Sequence, residues 1–347
     1  MKKLFFFVTL LFALSANAKI WRVNNNAGVT ADFTQLTTAV ASASVLSGDT
    51  IHVEPSATSY TFPTITKNLV IIGNGYFLSG ATGNAGLQAN TETSKVGGFR
   101  FASGSAGTRI IGIEITNNSD FASGYSGIVN ITIEKCAFTV GFFSFNAAAT
   151  YDGITVRKCI LQGFNSGAIG TLNNVTIENC ISNNINVFYL TPAAASNFVV
   201  RNNTFKVTGD IRFNNAYFAN NIIISGSNNS FTSCNIKNNL FSFNQTGVTT
   251  GPLSTNGNNL VSQTEASMVL VTGSNDGRYQ LAVASPAIGG GVDISGDKPN
   301  CGAFGGNDPY KLSGIPAIPS IYSITVPASV PLATPTMNVT FSTRNNN

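Results

Sequence analysis

One strand-like stretch carries the residues best suited to chemistry. Lys206, Asp210 and Arg212 lie in the segment Lys-Val-Thr-Gly-Asp-Ile-Arg, and side chains at even spacing share one face of a strand. If Gly209 introduces no bulge, all three groups point to the same side. Asp210 could then ligate Ca²⁺, with Lys206 or Arg212 placed as a catalytic base. The plainer interpretation is a solvated surface strand with internal ion pairs.

Aromatic side chains form a second set of candidates, here for ligand binding. Phe143, within residues 141–145, and Tyr189, within residues 187–189, could present rings on which sugars stack. The chain contains 25 phenylalanines, however, and in a β-structure most such rings fill the core. A binding role and a core role therefore remain alternatives for both residues.

Other reactive residue types are sparse. The single histidine, His52, follows Ile51 in a strand-like run, and alternation directs its side chain outward. Glycoside hydrolysis needs two carboxylates that face each other. Asp293 and Asp297 are close in sequence but lie in a glycine-rich segment, so they do not form a convincing pair.

A repeated phrase organises the centre of the chain and must position these groups. The phrase reads Ile-Thr-Ile-Glu-Lys-Cys at residues 131–136 and recurs at steps of 23, 21, 23, 18 and 18 residues. One strand-like phrase per period of this size predicts a solenoid. Its sixth position is occupied in turn by Cys136, Cys159, Cys180, Asn203, Asn221 and Asn239.

The alternation within each phrase separates a core face from a solvent face. The outward positions two residues before the Cys/Asn position alternate in charge, and the residues concerned are Glu134, Arg157, Glu178 and Arg201. Opposite charges on adjacent parallel strands support their register, and each exposed pair contributes roughly 0–1 kcal/mol. This outer face is interpreted as structural.

The five cysteines suggest buried thiols more than cross-links. Cys136, Cys159 and Cys180 share a repeat position with later asparagines, so we expect an inward stack of free thiols that continues as an amide ladder. Cys234 stands where other repeats carry apolar residues. A disulfide between neighbouring coils is the alternative, and no spacing typical of a zinc site accompanies these cysteines.

The start of the chain has the pattern of an export signal. Two lysines precede an apolar run from Leu4 to Leu14, which ends in Ser-Ala-Asn-Ala18, and this predicts a signal peptide over residues 1–18. Loss of Lys2 and Lys3 lowers the net charge from +4 to +2. Such a charge does not favour nucleic-acid binding, and no later run is long enough for a transmembrane span.

Both ends of the repeat region carry distinct segments. Residues 32–44 have helical spacing with Asp32 as the predicted N-cap, and such a helix would cover the open end of a solenoid. A glycine-rich insertion is expected around residues 80–96, followed by a strand at 99–101. Five prolines punctuate the chain after Ile315, which indicates edge strands or an extended tail.

The opening of the chain resembles that of the pectin-lyase-like, right-handed parallel β-helix proteins. The resemblance rests on the helix, on Gly-Asp-Thr-Ile-His-Val at 48–53, on Lys-Asn-Leu-Val-Ile-Ile-Gly at 67–73 and on the repeated phrase, and it covers roughly residues 30–305. Residues 285–306 resemble the closing turns of these proteins. The opening and the C-terminal sequence are also similar to those of exported proteins of Gram-negative bacteria.

The resemblance implies a fold more specifically than an activity, because this superfamily contains lyases, hydrolases, adhesins and binding proteins without catalytic activity. Its Ca²⁺-dependent lyases cluster acidic residues on one outer sheet, and its hydrolases use paired aspartates with a Gly-His-Gly element. The sequence has few acids in consecutive repeats and lacks that histidine element. No catalytic residue is therefore carried over from the family.

Together these observations predict an all-β protein. We expect a signal peptide at 1–18, a right-handed parallel β-helix with an N-terminal capping helix at 19–312, and a C-terminal extension at 313–347. The expected function is non-catalytic binding of a polysaccharide or another cell-envelope component, at the cell surface or in the periplasm or medium. One alternative is a polysaccharide lyase or related enzyme, with Ca²⁺ as cofactor. Another is a structural subunit of an outer-membrane assembly, bound to a protein partner through residues 315–347.

Overall fold

The computed structural model describes residues 18–121, 128–145, 149–166, 169–225, 229–244, 248–250, 255–293, 295–330 and 336–346. Apart from Ala18, the expected signal peptide lies outside these ranges and stays a prediction.

A parallel β-solenoid forms the body of the molecule, which confirms the predicted fold class. Its longest sheet, called sheet 1, has eleven strands whose order in space follows their order in the chain. The pairing is in register, so that Thr132 lies beside Thr155 and Thr155 beside Thr176. The strands of sheet 1 are Ile20–Val23, Thr50–Val53, Val70–Ile72, Arg109–Ile111, Thr132–Glu134, Thr155–Arg157, Thr176–Glu178, Val199–Arg201, Tyr217–Ala219, Asn235–Lys237 and Thr255–Gly257.

A second face of each coil contributes to a ten-stranded sheet, called sheet 2. Two of its strands are much longer than the others, and register shifts interrupt their pairing on both sides of Ile185. The strands of sheet 2 are Lys95–Val96, Glu114–Ile115, Ala137–Phe138, Ile160–Leu161, Ile181–Leu190, Thr204–Asn214, Ile222–Ser225, Asn229–Thr232, Leu240–Phe241 and Val248–Thr250.

Smaller sheets close the remaining faces of the coils. Three of them are parallel. One consists of the strands Thr64–Ile65, Arg100–Phe101 and Asp120–Phe121, and another of Phe143–Phe145 and Phe164–Ser166. The third consists of Ile128–Val129, Thr150–Asp152, Ile169–Asn173 and Pro192–Ser196. The described helices are short: Leu36–Ala41 and Glu265–Met268 are α-helical, and Gly277–Tyr279 and Leu312–Gly314 are 3-10.

The inward side chains form one continuous core, and the Cys/Asn position runs along it as a ladder. Cys136, Cys159 and Cys180 are buried free thiols, as predicted, so the disulfide alternative is wrong. The ladder then continues through amides: the backbone N–H groups of Cys180, Asn203, Asn221 and Asn239 each donate 2.8–2.9 Å hydrogen bonds to the side-chain oxygen one coil later. Stacking of equivalent residues therefore satisfies the polar groups inside the core.

The residue before the ladder position turns the chain out of sheet 1. In six successive coils this residue has a positive φ between 52° and 58°, and the residues are Lys135, Lys158, Asn179, Asn202, Asn220 and Asn238. Asparagine tolerates this left-handed conformation better than most residues. We call these six residues the corner row.

The N-terminal helix caps the solenoid, but it is shorter than expected and begins differently. It spans Leu36–Ala41 and buries Leu36, Ala39 and Val40 in the core. Gln35 is the N-cap and makes no side-chain capping bond, so the prediction of Asp32 as N-cap is wrong. The carboxylate of Asp32 instead accepts a 2.8 Å hydrogen bond from the backbone N–H of Arg22, in the terminal strand.

Residues 264–316, called the strap, run back along the outside of the solenoid. Side-chain amides of the corner row donate hydrogen bonds of 2.8–3.1 Å to backbone carbonyl oxygens of the strap. The Asn238 amide binds Gly290 O, and the Asn202 amide binds Asn300 O. The Asn179 amide binds both Ala303 O and Gly305 O. The Lys135 ammonium reaches Ile315 O at 3.0 Å. Backbone groups of the segment 285–306, which resembles closing turns, are thus bound by side chains at the coil corners.

Beneath the strap lies a second apolar cluster. Outward side chains of sheet 2, including Ile160, Ile181 and Ile222, pack there against strap residues such as Cys301 and Tyr310. The strap ends at the first coils, where a β-carbon on Gly112 (φ +67°) would lie 2.5 Å from Pro316. The close approach of Pro316 therefore requires glycine at position 112.

An antiparallel hairpin follows the strap. Its strands are Ser320–Thr325 and Thr340–Arg344. The hairpin contacts the glycine-rich insertion, since Ala89 N donates to Ile321 O at 2.8 Å and the Arg344 guanidinium donates to Leu87 O. Two predicted irregular segments, 80–96 and the tail, are thus brought together.

Candidate functional site

A cleft lies between the outer face of sheet 1 and the strap. Its volume is about 640 Å³. The floor comes from strands of four successive coils and includes Arg157, Glu178, Arg201 and Tyr217. The other wall is the strap, mainly residues 292–293 and 306–308. We call this feature the strap cleft.

The charges on the floor of the cleft form the predicted ladder. An Nη atom of Arg157 lies 2.8 Å from a carboxylate oxygen of Glu134, and an Nη atom of Arg201 lies 2.8 Å from one of Glu178. These pairs confirm the expected alternation along sheet 1. The face is also one side of a cleft, which the sequence did not show.

Asp308 extends this network from the strap. Its carboxylate pairs with the ammonium of Lys158 in the corner row and lies 3.8 Å from the Arg157 guanidinium. Partial burial alone would raise the pKa of Asp308, but the hydrogen bond and charge of Lys158, together with Arg157, outweigh it and lower the pKa. Asp308 therefore stays ionised and ties the strap to the coils.

Comparison with protein-family models, with curated proteins and with solved structures finds no match to this chain. The function must therefore be argued from the site itself.

Several groups in the cleft are available to a ligand. The ring of Tyr217 is partly exposed beside Val199 on the neighbouring strand. Within the described ranges, the Tyr217 hydroxyl and the Asn307 amide have no hydrogen-bond partner. A partly exposed ring flanked by charged groups and amides can pack on a sugar face and bond its hydroxyl groups.

Tyr217 and Asn307 were missed by reasoning from the sequence. Tyr217 replaces Thr132, Thr155 and Thr176 in the outward row of sheet 1, and this break in the repeat was the available signal. Asn307 gave no signal, because its place depends on the return path of the strap.

The predicted constellation at 206–212 separates into two contacts. Lys206 belongs to one of them, since its ammonium binds both oxygens of the Glu265 carboxylate at 2.8 Å. The carboxylate of Asp210 belongs to the other and accepts hydrogen bonds from Tyr189 OH at 2.6 Å and from Arg212 at 2.7 Å. Lys206 thus fastens the strap helix to sheet 2.

The two aromatic candidates have different environments. Phe143 is fully buried among other core rings, so its ring cannot serve as a surface platform. Tyr189 lies at the surface beside Asp210 and Arg212, with the guanidinium carbon 4.7 Å from the ring centre. The hydrogen bond to Asp210 raises the pKa of the Tyr189 hydroxyl, and the ring stacks on a neighbouring cation rather than standing free.

His52 is not part of a catalytic group, and Asp293 and Asp297 do not form a catalytic carboxylate pair. His52 lies on sheet 1 near Glu54 and Arg22, and burial lowers its pKa. Ser295 bridges Asp293 and Asp297 at 2.8 and 3.0 Å within the strap loop. Among the described residues, no three His, Cys, Asp or Glu side chains form a group that could hold a metal ion, and no described helix is long and apolar enough to cross a membrane.

Proposed function

We propose that this protein is an exported, non-catalytic β-helix protein that binds a polysaccharide of the cell envelope or its surroundings in the strap cleft. The observation that carries this proposal is the partly exposed Tyr217 ring, set among charged side chains and amides in a cleft of about 640 Å³. The solenoid and its repeated phrase also favour a place among the right-handed, pectin-lyase-like β-helices.

Binding is favoured over lyase chemistry because the candidate basic side chains are already paired with carboxylates. A lyase needs a basic residue that is available to remove a proton beside a sugar carboxylate. Arg157 and Arg201 are engaged by Glu134 and Glu178, and Lys206 is engaged by Glu265. A rigid row of such pairs suits recognition of a ligand better than proton transfer.

A glycan array probed with the mature protein tests the proposal. We expect binding to a subset of polysaccharides, reduced about fivefold by Tyr217→Ala, because stacking on a ring contributes on the order of 1 kcal/mol. Tyr189→Ala is the matched control, since it removes a surface ring outside the cleft. Unchanged binding by the Tyr217 variant, or loss with the Tyr189 variant, would place the site elsewhere.

Docking to an envelope protein through the hairpin is a second candidate function. Its strands expose apolar side chains, among them Ile321, Ile324 and Phe341 at 44–61%, and an isolated two-stranded hairpin is only marginally stable in water. Truncation after Pro316 should leave glycan binding intact and abolish co-purification of a protein partner from detergent-solubilised envelope. Recovery of the same protein partner with the truncated protein would exclude this docking.

A further inference from the structure

We infer that the strap cleft is specific for an uncharged, hydroxyl-rich glycan and discriminates against uronic polysaccharides. The inference rests on the proposed function and adds the class of ligand.

The charge balance of the cleft carries the argument. Two arginines, Arg157 and Arg201, face three carboxylates, those of Glu178, Asp293 and Asp308. Both arginines are already paired, Arg157 with Glu134 at 2.8 Å and Arg201 with Glu178 through Nε at 2.9 Å and Nη at 2.8 Å. The lining thus has no surplus positive charge for an acidic sugar.

An anionic ligand would meet a direct cost in this cleft. Its carboxylates would lie near that of Asp293 and near the ion pair of Asp308 with Lys158, and like charges brought together at an interface oppose binding. A ligand carboxylate that binds Arg201 or Arg157 would share that cation with Glu178 or Glu134, so its own charge would be only partly compensated.

Neutral sugar hydroxyls match the same lining. Each hydroxyl both donates and accepts hydrogen bonds, and an Arg–Glu pair presents donors and acceptors side by side. Tyr217 OH and the Asn307 amide add two groups without partners in the described structure. The pairs need not break, because guanidinium and carboxylate groups retain further bonding capacity when paired.

The length of the cleft favours a polymer over a single sugar. Its floor spans the strands Thr155–Arg157, Thr176–Glu178, Val199–Arg201 and Tyr217–Ala219. Adjacent strands are spaced by about 4.8 Å, so three steps cover about 14 Å along the solenoid axis. A linear glycan that follows this axis would meet an equivalent polar row at each coil.

Isothermal titration with neutral hexasaccharides of gluco-, xylo- and manno-type and with hexagalacturonate tests the inference. We expect wild-type protein to bind at least one neutral probe ten or more times more tightly than hexagalacturonate. Glu178→Gln should raise hexagalacturonate affinity at least fivefold, because it frees Arg201. Glu54→Gln, which frees Arg22 from the equivalent 2.5 Å pair outside the cleft, is the matched control and should change neither affinity.

The outcomes separate this inference from the proposed function. Equal or tighter binding of hexagalacturonate by the wild type, at a site sensitive to Tyr217→Ala, would overturn the inference and leave the glycan-binding function standing. Binding of no probe, and of no glycan on the array, would overturn both. Failure of Glu178→Gln to improve hexagalacturonate binding would show that charge balance does not set the specificity.

Discussion

The hydroxyl groups of Tyr76 and Tyr310 lie 2.7 Å apart, although 234 residues separate them in the chain. Tyr310 donates to the buried carboxylate of Asp276 at 2.9 Å, so Tyr76 is the donor to Tyr310. Asp276 also accepts from the Asn84 amide at 2.7 Å and from Ser313 N at 2.7 Å. These bonds join the second coil, the glycine-rich insertion and the end of the strap.

Removal of the Tyr310 hydroxyl should loosen this junction. In Tyr310→Phe, Asp276 loses one donor and the Tyr76 hydroxyl loses its acceptor, and both groups are buried. We expect a loss of about 1–3 kcal/mol in the free energy of unfolding, the cost of buried polar groups without partners. Urea unfolding measures the change. Tyr322→Phe, in the exposed hairpin, is the control, and an equal effect of both variants would contradict this account.

The asparagine ladder should stabilise the folded protein through the hydrogen bonds that its side chains make. The Asn221 oxygen accepts from the backbone and amide N–H groups of Asn203, and its own amide donates to Val200 O. Asn221→Ala should therefore cost about 2–3 kcal/mol in chemical unfolding. Asn221→Cys should cost less, because Cys159 fills the same position and its sulfur lies 3.4 Å from Cys136 N. A larger loss with cysteine than with alanine would contradict the comparison.

The thiols should be unreactive until the protein unfolds. Burial raises the pKa of Cys234 to about 11 and that of Cys301 to about 12, and raises those of Cys136 and Cys159 well above the ordinary value. The reactive thiolate is then scarce at pH 8. A colorimetric thiol assay should detect no reaction in the folded protein and five thiols in denaturant. Rapid reaction of any thiol under native conditions would contradict its burial.

Acid should weaken the attachment of the strap through Asp308. Because the pKa of Asp308 is lowered in the folded protein, its contribution to stability is present above the unfolded pKa, about 3.9, and is lost as the pH falls through the folded value. Asp308→Asn should therefore cost at most about 1 kcal/mol at pH 7, as expected for a partly exposed ion pair.

Urea unfolding of wild type and Asp308→Asn at pH 7 and pH 2.5 measures this dependence. The difference between the two proteins should shrink in acid, since Asp308 is then increasingly protonated. Asp297→Asn, which changes an exposed strap carboxylate outside the ion pair, is the control. A difference for Asp308→Asn that grows in acid would show that the ion pair is not its cause.

Local periodicity determined the solenoid, the register of its strands and the inward ladder. Alternation at period 2 assigns Ile133 to the core and Glu134 to the outer face without any knowledge of the rest of the chain. The stepwise recurrence of Cys136, Cys159 and Cys180 then places equivalent residues above one another. These features were predictable because each coil packs mainly on its neighbours.

The tertiary structure alone decided the path of the strap and the place of the cleft. Contacts such as Asn179 with Ala303 and Tyr76 with Tyr310 join segments that share no periodicity, so no spacing rule brings them together. The spacing of Lys206 and Asp210 predicted that they share one face of a strand, but in the folded protein Lys206 pairs with Glu265 of the strap. The sequence by itself determined the scaffold, because its interactions repeat, and the fold determined the candidate site, because a return of the chain over the outer surface leaves no periodic signal.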